Sequence, residues 1–149
     1  MRVRIEDFIL HGLFGDVRMW MPWSELHAAL PGLPRYEANG REHLAYATEG
    51  AVEITLQNDK VWSIKLTLDE DPPPLPSGIE LAGPTRISEY ALKRLLDRRR
   101  VPWIRYAPLS DVWGDYYWTT RGVHLTCSQR QLNAILYDGG QLRLDRSNE

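Results

Sequence analysis

The chain of 149 residues has one cysteine, Cys127, and that scarcity closes off two architectures. No disulfide can form within the chain, and no zinc site of clustered cysteines can be built. Charge of one sign is also lacking. A formal net charge of −2 supplies no field that would draw in nucleic acid or an anionic membrane. No apolar run approaches the ~18 residues of a membrane-spanning helix. The opening MRVRIEDFILHGLFGD is interrupted by Glu6, Asp7 and Gly12 before a secretory core forms, so a cytoplasmic location is expected.

The marks of catalysis are equally sparse. His11, His27, His43 and His124 fall in no HxxxH, HExxH or HxH spacing, so metal ligation has no local support. There is neither a GxSxG elbow nor a phosphate loop, and Gly12 and Gly15 lack the third glycine of a nucleotide fingerprint. Asp69, Glu70 and Asp71 precede a proline run, where no cleft would raise a carboxyl pKa for acid catalysis. The chain reads as a protein without enzymatic activity, metal or cofactor. Arg98, Arg99 and Arg100 form the one sharp basic run. They follow a predicted helix and read as a solvated last turn that complements its dipole.

What is present is a repeat. Tyr46, Thr48, Val52, Thr55 and Ile64 recur as Tyr117, Thr119, Val123, Thr126 and Ile135, a constant 71 residues along, as from Val52 to Val123. A fixed period of this length points to two copies of one supersecondary unit, the alternative being two unrelated hairpins of similar alternation. Residues 3–10 and 17–21 read as extended. Pro22, Trp23, Leu26 and Leu30 begin a short helix, which Pro31, Gly32 and Pro34 stop. Strands are expected at 42–48, 51–57 and 61–68, and again at 115–120, 122–128 and 131–138. A second helix is expected from Ser88, a fair N-cap, to Arg99. Asp138-Gly139-Gly140 signals a turn before a possible edge strand at 141–144.

These elements give an α+β fold of two tandem units, each a short helix packed on a small antiparallel sheet. The first covers residues 1–70 and the second 85–149. A proline-rich connector, 71–84, lies between them, and the whole is read as one compact pseudo-symmetric domain.

Aromatics carry the functional signal. Six Trp and seven Tyr against two Phe favour side chains that join an apolar body to a polar tip, as interfaces do. The segment PLSDVWGDYYW places Trp113 between Asp111 and Asp115 in an expected loop, a reasonable anchor for a basic partner. Strand parity, with Glu49-Gly50 and Asn58-Asp59-Lys60 as turns, puts Ala45, Ala47, Val52, Ile54, Leu56, Trp62, Ile64 and Leu66 toward the helix. Tyr46, Glu53, Thr55, Ser63 and Lys65 face away, with Glu53 opposite Lys65. In the second unit the outward set is Tyr117, His124, Thr126, Leu132, Ala134 and Leu136, which is far more apolar. Such a face marks an interaction surface, unless this chain's own N-terminal strand or other unit covers it.

Residues 14–34, FGDVRMWMPWSELHAALPGLP, resemble a recurring bacterial pattern of Phe-Gly, a short apolar strand, Gly-Met-Thr, a short helix and a closing Gly-x-Pro. Phe14-Gly15, Val17, Met21, Glu25, Leu26, Ala28 and Leu30 fit it. Trp20, Pro22 and Pro31 depart from it. The pattern is similar to small helix-plus-sheet proteins of the outer-membrane-assembly-lipoprotein and beta-lactamase-inhibitor-protein fold group. The resemblance implies tandem units whose sheet surface grips another protein, as immunity-type relatives do. The absence of an N-terminal lipidation cysteine argues against an envelope lipoprotein.

The expected function is therefore protein binding, with a toxin or enzyme neutralised by occlusion. Asp111, Trp113, Asp115, Tyr117, His124, Leu132 and Leu136 are the leading contacts, and Tyr46, Glu53 and Lys65 the secondary ones. Neither nucleic acid nor membrane is an expected partner. Self-association through the apolar face, as a homodimer or assembly subunit, is the alternative, followed by a small-ligand or hydrolytic site between the units.

Overall fold

The computed structural model describes residues 1–111 and 114–139. Eight strands form one antiparallel sheet: β2 (Arg35–Glu37), β3 (Leu44–Glu49), β4 (Val52–Gln57), β5 (Lys60–Thr67), β7 (Trp103–Arg105), β8 (Gly114–Thr119), β9 (Val123–Ser128) and β10 (Gln131–Tyr137). Their spatial order is β2-β3-β4-β5-β10-β9-β8-β7. Two meanders thus meet at the β5–β10 seam, where Ile64 pairs with Tyr137 and Leu66 with Ile135. The fold is α+β, with helices α1 (Ile5–His11), α2 (Trp23–Ala29) and α3 (Glu89–Arg98). A separate parallel pair joins β1 (Arg2–Arg4) to β6 (Glu80–Ala82).

Residues 3–10 are not one strand. The chain leaves β1 after Arg4 and turns helical, because Ile5, Phe8 and Ile9 recur at helical spacing and all three are buried. Glu6 and Asp7 lie in the first turn, where their charge suits the helix dipole. Gly12 closes α1 in the left-handed conformation, φ 70°, and its N–H bonds back to the Phe8 carbonyl at 3.0 Å. Residues 17–21 form no strand either; Phe14 and Val17 make only an isolated bridge. Helix α3 starts as its sequence predicts, with the Ser88 hydroxyl accepting from the Ala91 N–H at 3.0 Å.

Each meander contains the same hairpin. Asn58-Asp59 and Gln129-Arg130 are two-residue turns with positive φ at both positions, the type I′ geometry that matches strand twist. A bulge follows each turn. Thr55 pairs with Ser63 but Leu56 with Val61, leaving Trp62 as the extra residue. Thr126 pairs with Ala134 but Cys127 with Leu132, leaving Asn133 extra. The other hairpins differ. Glu49 faces Val52 across Gly50-Ala51, whereas Trp118 faces His124 across a loop one residue longer, Thr120-Arg121-Gly122 flanked by Thr119 and Val123.

One face of the sheet is the core. A row runs from Val52 through Leu66, Ile135 and Leu125 to Tyr117, and all five are buried. The three helices bury their apolar sides in this same cluster, through Phe8 and Ile9, Leu26, and Leu92 and Leu96. The proline connector docks on the structure: the Ala51 N–H bonds to the Pro74 carbonyl at 2.7 Å. Gly50 is required beneath it. Its φ is 59°, and a Cβ there would stand 2.2 Å from the Pro74 oxygen.

Candidate partner-binding face

The opposite, outer face carries a continuous row across seven strands. Register alone sets it: Thr48, Glu53, Lys65, Leu136, His124, Trp118 and Ile104 pair in succession from β3 to β7. Tyr36, Tyr46, Thr55 and Ser63 form a parallel row in the first half, and Thr67, Ala134, Thr126 and Tyr116 one across the seam. Most of these side chains are half-buried, as on an open sheet surface.

Five of the sequence-derived contacts lie on this face. Leu136 and Tyr46 are half-buried there, and Glu53 and Lys65 are exposed and directly opposite each other. His124 is on the face too, but only 3% exposed. Tyr117 and Leu132 require correction. Both are 2% exposed and point into the helix-side core. The longer β8–β9 loop shifts β8 by one residue against the 71-residue period, and a one-residue slip turns every side chain of a strand to the other face. Tyr116 therefore takes the place opposite Thr126 that Tyr46 takes opposite Thr55. The bulge at Asn133 does the same for Leu132. The bulge at Trp62 carries that residue outward, whereas plain alternation places it with Ile64.

Asp111 is exposed and bridges to Gly114. Asp115 lies on the helix side, paired with Arg105 at 2.7 Å. The hydrogen bond from Arg105 is the main reason its carboxyl titrates below the ordinary value. Trp113 lies outside the described residues, as does the stretch 141–144.

Sequence reasoning missed an aromatic cluster at the second end of the face. Tyr106, at the start of a short 3-10 turn (Ala107–Leu109), stacks on Trp118 with centroids 4.3 Å apart and planes 8° from parallel. Trp118 meets the His124 ring edge-on at 5.1 Å. His124 Nδ1 contacts the Tyr116 hydroxyl, and its Nε2 lies 3.1 Å from Asp138 Oδ2, with Asp138 fully buried. A neutral ring protonated at Nε2 satisfies both neighbours, donating to the carboxylate and accepting from the phenol.

A histidine and a carboxylate thus converge out of water here. The arrangement has the order of an acid–base relay, but its hydroxyl is poorly placed on the pH scale. Burial, with Asp138 adding to it and the Trp118 indole opposing it, pushes the Tyr116 phenol up to about 12. At neutral pH it is a proton donor, not a nucleophile. Cys127 is buried, and burial pushes its thiol up to about 12, which makes it an unreactive core residue.

Among the described residues, no group of three or more His, Cys, Asp or Glu side chains could hold a metal ion. No helix among them is long and apolar enough to cross a membrane. No family model, no curated protein and no solved structure matches the chain.

Proposed function

We propose that this protein is a protein-binding module whose outer sheet face seats a partner. Its work is that of an immunity or inhibitor protein, which blocks a bacterial toxin or enzyme by occlusion in the cytoplasm. One observation carries the reading. All three described helices bury their apolar sides against one face of an eight-stranded sheet, while the other holds a broad row of half-buried Tyr, Thr and Leu side chains that reaches the buried Trp118. Only Glu53 and Lys65 bring charge to the central part of that row. Depletion of charge with enrichment of aromatics is the composition of an interface centre. Tyrosines beside short hydroxyl side chains give large contact area at low conformational cost.

The two meanders are, on this reading, two copies of one helix-plus-sheet unit. The paired I′ turns, and the bulges at Trp62 and Asn133 that follow them 71 residues apart, support it. Duplication would double the width of the outer face without lengthening any strand. The test is to purify the partner from the native host and measure its affinity for outer-face variants. Affinity unaffected by changes on this face would move the interface elsewhere, and a mass that doubles with concentration through Leu136 would favour self-association.

A further inference from the structure

The outer face of the first meander is hollowed. A cleft of about 440 Å3 is floored by Tyr46, Thr55 and Ser63 and walled by Trp62, Gln57 and the loop carrying Arg41, Glu42 and His43. Its volume falls within the range of sites that hold small molecules, roughly 300–1,000 Å3.

Three departures from regular backbone converge on it. The β5 bulge turns Trp62 outward into the cleft wall. Trp20, itself at φ 65°, stands edge-on against Trp62 with centroids 5.3 Å apart, and its N–H is anchored to the Val61 carbonyl at 2.8 Å. His43, on the rim, has φ 69°. Non-glycine residues in the left-handed region are uncommon and strained, and they persist where the surroundings over-determine them. The irregularities set one indole at one edge of a polar floor.

The lining chemistry selects the ligand. Arg41 and Glu42 bring opposite charges to the same rim, so neither an anion nor a cation meets a uniform field. Arg41, Tyr46, Thr55, Gln57 and Ser63 make no side-chain hydrogen bond among the described residues, which leaves donors and acceptors of both kinds turned to the cleft. A matching molecule has apolar ring faces for the aromatic wall and a hydroxyl edge for the floor, and carries no charge. We propose that this cleft binds a neutral saccharide, one pyranose ring packed on Trp62 with its hydroxyls met by Tyr46, Thr55, Gln57 and Ser63.

The experiment is a titration of the isotope-labelled full chain, followed by two-dimensional NMR. The probes are glucose, galactose, mannose, N-acetylglucosamine and maltose, with acetate and methylammonium as charged controls. The expected result is a saturable shift of the Trp62 and Trp20 indole N–H signals and the Gln57 and Ser63 amides with at least one sugar, stronger than with either ion. Trp62→Ala weakens that affinity at least about tenfold, and Gln57→Ala about threefold. Both sites are on the surface, and an unchanged melting temperature confirms that the variants remain folded. Absence of a saturable shift with every sugar up to ~100 mM overturns the proposal. So does a charged control that outcompetes the sugars, or sugar binding that survives in Trp62→Ala. The titration contains no partner protein, so its failure leaves the partner-binding proposal standing, and failure of partner binding leaves the cleft untouched.

Discussion

The Tyr117 hydroxyl donates to Glu89 Oε1 over 2.7 Å, tying the middle of β8 to the first turn of α3. Lys93, one turn on, holds its ammonium 4.9 Å above the same ring. This is a core anchor between sheet and helix. Tyr117→Phe keeps the ring and removes the charge-assisted bond, and is expected to cost about 1–2 kcal/mol by denaturant titration. Partner affinity should be unchanged, since the side chain does not reach the outer face.

Gly50 holds the first meander against the proline connector. Gly50→Ala places a Cβ against the Pro74 carbonyl and strains a positive φ. A loss of about 1–3 kcal/mol is expected, because neither neighbour is a flexible side-chain end. Gly40→Ala is the control. Its φ is 72° but nothing lies within 4 Å of the added carbon, so only the backbone penalty applies. Equal melting temperatures for the two variants would show that the connector is not docked as described.

Alkaline pH should destabilise the fold over a defined window. Cys127 and Tyr116 have folded pKa values of about 12, raised chiefly by burial from ordinary values of 9.0 and 10.0, and Tyr117 is raised in the same direction and for the same reason. A raised folded pKa means that the unfolded chain loses its proton first. The stability these groups contribute is whole below pH ~9 and falls as pH rises toward ~12. Cys127→Ala should flatten the start of that decline. Stability independent of pH between 9 and 11 would contradict the burial of these groups.

His124 joins Tyr116 to Asp138, and removing it leaves a buried carboxylate without one of its partners. His124→Ala is expected to cost about 2–4 kcal/mol, and Tyr116→Phe only about 1 kcal/mol, by chemical denaturation. A structural relay shows that order. A Tyr116→Phe variant as damaged as His124→Ala would assign the phenol a larger part than an edge donor.

Much of this fold was legible because hydrophobic alternation and turn chemistry agree in β4, β5, β9 and β10. The pairing of Glu53 with Lys65 follows from that alternation and a three-residue turn at Asn58-Asp59-Lys60. The observed two-residue turn, Asn58-Asp59, gives the same register because the Trp62 bulge supplies the third residue. The Ser88 cap and the short helix at Trp23 were legible for the same kind of local reason. Three features were not. Helix α1 hides in a stretch whose first residues do form a strand, and only Ile5, Phe8 and Ile9 betray the change of period. The edge strands β2 and β7 are three residues each, too short for periodicity to declare them. The faces of Tyr117, Leu132 and Trp62 depend on one extra loop residue and two bulges, none of which changes the local hydrophobic pattern. That is why alternation alone does not place Tyr116, Trp118 and Trp62 on the outer face.

The central claim is that a partner protein sits on the outer sheet face, and calorimetric affinity for the purified partner tests it most directly. Leu136→Arg and Tyr46→Ala alter that face on either side of the seam, whereas Tyr90→Ala alters an exposed aromatic on α3, on the helix side. All three variants should melt close to the parent. Truncating or overfilling a central contact costs on the order of 2 kcal/mol, so Leu136→Arg and Tyr46→Ala should each weaken binding about thirtyfold while Tyr90→Ala leaves it unchanged. Undiminished affinity in both outer-face variants, together with a loss in Tyr90→Ala, would contradict the account and place the partner on the helices.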